Sequence, residues 1–256
     1  MLGVIVTLCA VLGLLVGSFL NVVIHRVPRK ESVVSPPSHC PSCGTQIAVR
    51  DNLPVVSWVL LRGRCRACAE PISARYPLIE ALTGVLFAAV AIHFGRVWEL
   101  PAFLVFTACL IAVAFIDLEH FIVPNRIVTV ALFLGIPALL LPAAADHRWD
   151  DFRGALVGAL LGLGMLLAIH LVNPRGMGMG DVKLAGILGL YLGFLGVRYV
   201  LLGLFLGFLL GSVGGILLIA TKIRSRKDHI PFAPFLAAGA MLTVFIGHGF
   251  LDWYGR

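Results

Sequence analysis

The chain has 256 residues, of which 59% are hydrophobic and 13% are charged, and its net charge is +7. An ordinary soluble domain carries about 25% charged residues around one apolar core, so this composition excludes that class, and so much apolar surface excludes disorder. A polytopic membrane protein remains, in which basic loops rather than a nucleic-acid-binding surface account for the positive charge.

Long apolar intervals without charged residues predict about eight transmembrane helices, because about 17 to 25 apolar residues cross a bilayer. The first interval lacks the basic start of a cleavable signal peptide, which predicts a retained helix. The second and sixth intervals are short and must recruit flanking residues, and the sixth is alternatively a re-entrant helix. The intervals are 1–24, 81–95, 100–116, 127–145, 154–174, 184–197, 199–221 and 230–251.

The basic residues predict the orientation of these spans. Fifteen of the 20 Lys and Arg residues lie in four alternate loops. Basic loops stay on the cytoplasmic side, so both termini are expected in the periplasm. The four loops are 25–80, 117–126, 173–183 and 222–229.

The first of these loops carries two Cys-x-x-Cys pairs. They are Cys40 with Cys43, and Cys65 with Cys68. Two such pairs supply four thiolates for one tetrahedral ion, which predicts a structural zinc site. Disulfides are the alternative, but a reducing cytoplasm disfavours them. Because sulfur fills all four positions, the metal is expected to fold the loop without taking part in catalysis.

Two acidic residues stand at the ends of predicted spans. Asp117 follows the third span, and Asp181 follows a glycine-rich segment before the sixth. An ionisable side chain at membrane depth is expensive unless it is paired, protonated or wetted, so both are candidates for function. The structural alternatives are an interfacial, hydrated carboxylate for Asp117 and a helix N-cap for Asp181.

Two crossings separate these acids, which returns them to the same membrane face and permits an aspartyl dyad. Two carboxyl groups in close contact cannot both ionise, so one retains a proton while the other activates water. Such a pair hydrolyses a peptide without a metal or a covalent nucleophile. Gly176, Gly178 and Gly180 have no side chains, so the backbone can leave helical geometry and an extended peptide can approach.

Together these motifs resemble the bacterial type IV prepilin peptidases, a family of membrane aspartyl proteases that also N-methylate their product. The resemblance implies that Asp117 and Asp181 are the catalytic pair. Glu119 and Asn125 stand where many relatives have aspartates, and Ala233 replaces a common glycine. The similar segments are 17–28, the cysteine pairs, 51–58, 61–68, 75–80, 117–124, 176–183 and 230–235.

The resemblance implies substrates, a methyl donor and a location. Family substrates are prepilins and pseudopilins, whose short basic leader is cleaved at the cytoplasmic boundary of the inner membrane before S-adenosylmethionine methylates the new N-terminus. Lipid head groups are further partners, and no nucleic acid is expected. The predicted domains are a first helix (1–24), a zinc-binding, methyltransferase-associated loop (25–80) and a peptidase core (81–256).

The sequence leaves the methyl-transfer site open. No Rossmann glycine motif indicates a familiar cofactor fold. A peptidase without effective methylation is one alternative, and a zinc-stabilised transporter or scaffold, whose acids bind ions, is another. Ser18 and Asn21 are expected to bond between helices rather than to act as nucleophile and base. Polar candidates for methyl transfer in the first loop are Glu31, Asp51, Asn52, Arg64, Arg75 and Glu80.

Overall fold

A computed structural model describes residues 1–95, 98–174, 176–222 and 230–254. Within these ranges the regular structure is helical, apart from two isolated antiparallel bridges, which confirms the prediction of an all-α protein. A 3₁₀ turn, Val49–Asp51, precedes α2. The helices are α1 (Leu2–Arg26), α2 (Val56–Leu60), α3 (Arg75–Phe94), α4 (Leu100–His120), α5 (Asn125–Ala145), α6 (Trp149–Val172), α7 (Met179–Leu195), α8 (Val197–Ala220) and α9 (Ala233–Tyr254).

Seven of the described helices are long and apolar enough to cross a membrane: α1, α3, α4, α5, α6, α8 and α9. The sixth predicted span corresponds to α7, which has 17 residues. Its length is therefore about 26 Å, against about 30 Å for a hydrocarbon core. Every residue of α7 from Leu184 to Phe194 is buried, so protein surrounds this helix. The predicted loop 222–229 lies outside the described residues except for Lys222.

The chain divides into two compact units, Met1–Arg96 and Val97–Arg256. In the first unit, α1 and α3 pack side by side, and glycines permit the close approach. A Cβ on Gly13 would lie 2.7 Å from the carbonyl oxygen of Thr83, and one on Gly17 would lie 2.7 Å from the Cα of Glu80. The functional division at residues 24 and 80 remains a prediction, whereas the compact units divide after α3.

The second unit is built around α7. Glycines on α6 and α7 face each other, so the two backbones touch: Gly154 lies against Gly193 and Gly158 against Gly189. The Tyr191 hydroxyl donates a hydrogen bond of 2.9 Å to the carbonyl oxygen of Ala131 on α5. These contacts fix the position of α7, whose first turn carries Asp181.

Candidate active site and metal site

Asp117 lies in the last turn of α4 and is buried. The helix ends after His120, where Phe121 takes the left-handed conformation with φ 55° and its N–H donates to the Asp117 carbonyl oxygen. The Asp117 carboxylate accepts a hydrogen bond of 3.1 Å from the backbone N–H of Ala233, the first residue of α9. A helix N-terminus offers free N–H donors and a partial positive charge, so it stabilises the ionised carboxylate.

Asp181 is the third residue of α7 and is half-buried. The N-cap of this helix is Gly178, with φ −72° and ψ 144°, so the N-cap interpretation of Asp181 is wrong. The helix begins earlier than expected because Met179 and Gly180 already belong to it. An acidic side chain in the first turn is favoured by the helix dipole.

The structure brings the two acids together. Asp181 lies close enough to Asp117 for their charges to interact directly. When both are ionised they repel each other, and burial strengthens that repulsion. The N-termini of α7 and α9 converge on the pair, and one acid that keeps its proton removes most of the repulsion.

At the three glycines before Asp181, neighbouring groups come close to the position that a side chain would take. Gly180 lies inside α7, and a Cβ there would meet the Cβ of Val123 at 3.0 Å. A Cβ on Gly176 would meet the Asn173 side-chain nitrogen at 2.6 Å, and one on Gly178 would lie 3.4 Å from the Asp181 carboxylate. None of the three has a positive φ, so the close approach of neighbouring groups, rather than an unusual backbone conformation, requires glycine.

Polar side chains near the segments that carry the two acids form further contacts. Lys183, two residues after Asp181, donates a hydrogen bond of 2.8 Å to the Asn125 side chain at the start of α5. The His170 ring donates to the Met177 carbonyl oxygen at 2.8 Å, which holds the glycine-rich segment against α6. Glu119 lies 4.0 Å from the His120 ring.

The four loop cysteines form a separate cluster in the first unit. The sulfur atoms of Cys40, Cys43, Cys65 and Cys68 all lie within 4.8 Å of one another, and those of Cys40 and Cys68 are 3.8 Å apart. A tetrahedral zinc ion with Zn–S bonds of about 2.3 Å separates its sulfur ligands by about 3.8 Å. The cysteines are free thiols, so the geometry fits the predicted zinc site and not the disulfide alternative.

The two cysteine pairs have the same local fold. In the first, the N–H of Cys40 donates to the Thr45 carbonyl oxygen, and the following turn closes at Gly44 with φ 69°. In the second, the N–H of Cys65 donates to the Glu70 carbonyl oxygen, and Ala69 takes φ 58°. A hydrogen bond with the Thr45 side chain lowers the pKa of Cys43 to about 6, which favours the thiolate that binds zinc.

Among the candidates for methyl transfer, Asp51 and Glu80 have clear partners. Arg66, between the second pair of cysteines, binds both carboxylate oxygens of Asp51, at 2.6 and 2.8 Å. This hydrogen bonding lowers the pKa of Asp51 and ties the 3₁₀ turn to the metal site. Glu80 is buried on α3, and Asn21 bonds across to α3 as expected, through the Tyr76 carbonyl oxygen.

Two family models match the chain. The Bacterial Peptidase A24 N-terminal domain matches residues 11–94, and the Type IV leader peptidase family matches residues 104–219. The first match covers most of α1, the cysteine loop and α3, and the second begins in α4 and covers Asp117 and Asp181.

The chain is similar to several proteins that carry the name prepilin leader peptidase/N-methyltransferase. The protein from Myxococcus xanthus is 44% identical over 220 residues, which cover 84% of this chain and 63% of that protein. The protein from Aeromonas hydrophila is 37% identical over 94% of this chain and 91% of its own length. The protein from Bacillus subtilis is 33% identical over 95% of both chains. No solved structure matches the chain.

Proposed function

Since the chain belongs to the type IV leader peptidase family, we propose that it cleaves the basic leader of prepilins and pseudopilins and then N-methylates the new N-terminus. The observation that carries the cleavage step is the interacting pair formed by the buried Asp117 and the half-buried Asp181. Perturbed carboxyl pairs of this kind are typical of sites that activate water.

Cleavage requires one of the two acids to be ionised and the other to be protonated. The ionised carboxylate takes a proton from water as the oxygen attacks the scissile carbonyl carbon, and the protonated carboxyl group donates to the carbonyl oxygen. The N–H of Ala233 already donates to Asp117, which favours Asp117 as the ionised member. Asp181, half-buried and beside Gly178, then carries the proton.

The orientation of the protein in the membrane follows from its basic loops. Fifteen of the 20 Lys and Arg residues lie in the four loops that we place in the cytoplasm, together with the active site and the metal site. The termini then lie in the periplasm of this multi-pass inner membrane protein. Exposed apolar side chains on α1, such as Leu8 and Leu15, face the lipid in this arrangement.

Zinc and a methyl donor complete the proposal. The four thiols would hold zinc as a structural ion, because no position remains for water or substrate. S-adenosylmethionine would supply the methyl group, and the first loop remains the proposed region for this second reaction. Leader cleavage is therefore expected to resist a chelator as long as the loop stays folded.

The test uses purified protein in lipid nanodiscs with a prepilin substrate. Asp117→Asn and Asp181→Asn should each lower cleavage by at least about 1,000-fold, because each removes a group that moves a proton. Asp146→Asn, on an acid at the end of α5 and outside the pair, is the matched control and should cleave normally. Normal cleavage by either variant of the pair would exclude the dyad.

Mass spectrometry of the mature N-terminus, with and without S-adenosylmethionine, separates a bifunctional enzyme from a peptidase alone. A transporter or scaffold would produce no cleaved product in either sample.

A further inference from the structure

A buried polar cluster lies between α1 and α3, where their cysteine-loop ends meet. We call Ser18, Asn21 and Glu80 the acceptor cluster. Asn21 is 3% exposed and Glu80 is 8% exposed. Ser18 and Asn21 stand three residues apart on α1, so their side chains share one face. Gly17, one turn before Asn21, lies against Glu80, because a Cβ there would be 2.7 Å from the Cα of Glu80. The cluster belongs entirely to the first compact unit.

Asn21 has an oxygen with no partner. Its side-chain nitrogen donates to the carbonyl oxygens of Tyr76 at 3.1 Å and Gly17 at 3.3 Å. These two acceptors fix the orientation of the amide, because a flipped group would place its oxygen against both carbonyls. The remaining atom, Oδ1, is buried and has no hydrogen-bond donor among the described residues. A buried acceptor without a donor destabilises the fold, so it requires a role.

Glu80 holds a strained turn. Its carboxylate accepts a hydrogen bond of 2.7 Å from the N–H of Val55. Val55 has φ 61° and ψ −49°, and the N–H of Val56 bonds to the Pro54 carbonyl oxygen at 2.6 Å, which closes a three-residue turn. A β-branched residue rarely takes this conformation, and such strain concentrates at functional sites.

The cluster offers acceptors and a negative charge. A carboxylate has about four acceptor positions, and among the described residues the Val55 N–H donates to that of Glu80, so acceptor positions remain. Asn21 adds its unpartnered oxygen. A ligand that satisfies both groups must carry N–H donors and a positive charge, as a protonated primary amine does.

We propose that the acceptor cluster binds the protonated N-terminal amine of the processed product for methylation. This inference rests on the proposed function, which creates such an amine at each cleavage. In the bound state the ammonium group donates to the Asn21 oxygen and the Glu80 carboxylate. One proton then passes from nitrogen to the Glu80 carboxylate, which frees the nitrogen lone pair. The lone pair would form the N–CH3 bond as the S–CH3 bond of a sulfonium donor breaks, so the thioether would leave with the electron pair and the product would be a secondary ammonium ion.

The experiment measures peptide binding without a methyl donor. The probe is a peptide that begins with Phe, followed by the apolar segment of a pilin, and carries a fluorescent label at its other end. It is compared with the same peptide acetylated at its N-terminus, using the whole protein in nanodiscs. The free amine should bind about 10- to 100-fold more tightly, as expected for hydrogen bonds to a charged group.

Glu80→Gln is the decisive variant, because glutamine keeps an acceptor for Val55 but loses the charge. The ratio of the two affinities should fall to about one. Glu70→Gln changes an exposed acid in the same loop and should keep the wild-type ratio. An unchanged ratio in Glu80→Gln, or a ratio near one in the wild type, would overturn the inference.

Asn21→Leu supplies a second test if Glu80→Gln does not fold. It removes the unpartnered oxygen at similar volume, so it should reduce the ratio. Equal ratios in Asn21→Leu and wild type would also contradict the proposal. Failure of the proposed function looks different, since the wild-type enzyme would then neither cleave a prepilin nor methylate the product.

Discussion

A methyl group at Gly180 would separate the first turn of α7 from the segment that follows α4. The new Cβ would lie 3.0 Å from the Cβ of Val123 and 3.1 Å from its Cγ2. Carbon atoms prefer a separation of about 3.5–4.0 Å, so Gly180→Ala requires the two groups to move apart by a few tenths of an ångström. The atoms in contact lie next to the backbone, so rotation of a side chain does not relieve the overlap.

This shift acts directly on the acidic pair, because Asp181 follows Gly180. A displacement of about 1 Å in a catalytic group costs up to about 100-fold in rate, so a shift of a few tenths of an ångström in Gly180→Ala should slow prepilin cleavage by about 3- to 10-fold. Overpacking should also lower the free energy of unfolding by about 1–3 kcal/mol. Initial rates with a prepilin and thermal unfolding in nanodiscs measure the two effects.

Gly164→Ala is the matched control, since nothing lies within 4 Å of a Cβ at this position on α6. It should cleave at the wild-type rate. Val123→Gly removes the carbon atom involved in the overlap and should restore part of the rate when combined with Gly180→Ala. A wild-type cleavage rate for Gly180→Ala alone would refute the argument that this contact positions Asp181.

Three further changes test other parts of the structure. Cys65→Ser removes one of four thiolates and should lower both the zinc content and the protease resistance of the loop. Wild-type zinc content and wild-type protease resistance in this variant would contradict the proposed metal site. Tyr191→Phe leaves the buried Ala131 carbonyl without its second donor and should destabilise the fold by about 1 kcal/mol, measured by thermal unfolding, with cleavage retained. Lys183→Met should slow cleavage less than about tenfold, because Lys183 bonds to Asn125; a loss as large as that of Asp181→Asn would place this lysine on the acidic pair.

The sequence was sufficient to predict features that depend on one residue type at a fixed spacing. Long apolar intervals predict membrane helices whatever their packing, and all but one of the predicted spans correspond to helices long enough to cross a membrane. Four thiols in two Cys-x-x-Cys pairs, such as Cys40 with Cys43, predict a tetrahedral cluster because each pair closes its own turn. The exception, α7, is short, and its burial depends on glycines of α6 that pair only in three dimensions.

The partners of the acidic pair were harder to predict because they are backbone groups. No property of the Ala233 side chain indicates that its N–H reaches Asp117. The sequence did contain one indication that free N–H groups lie at this position. Pro234 is typical of a first helical turn, and the start of a helix has free N–H donors. The bond between Lys183 and Asn125 joins residues 58 positions apart, so only the packing of α5 and α7 establishes it.

The acidic pair also explains why so much of the second unit is built on contact between backbones. Repulsion between Asp117 and Asp181 pushes the ends of α4 and α7 apart whenever both acids are ionised. Side-chain packing alone would allow α7 to move away, since flexible groups yield easily. Contacts such as that of Gly158 with Gly189 do not yield, because they join main chain to main chain. The rigidity of α7 is therefore a condition for the proposed sharing of one proton between the two carboxyl groups, and a loosened α7 would separate the two acids before the fold was lost.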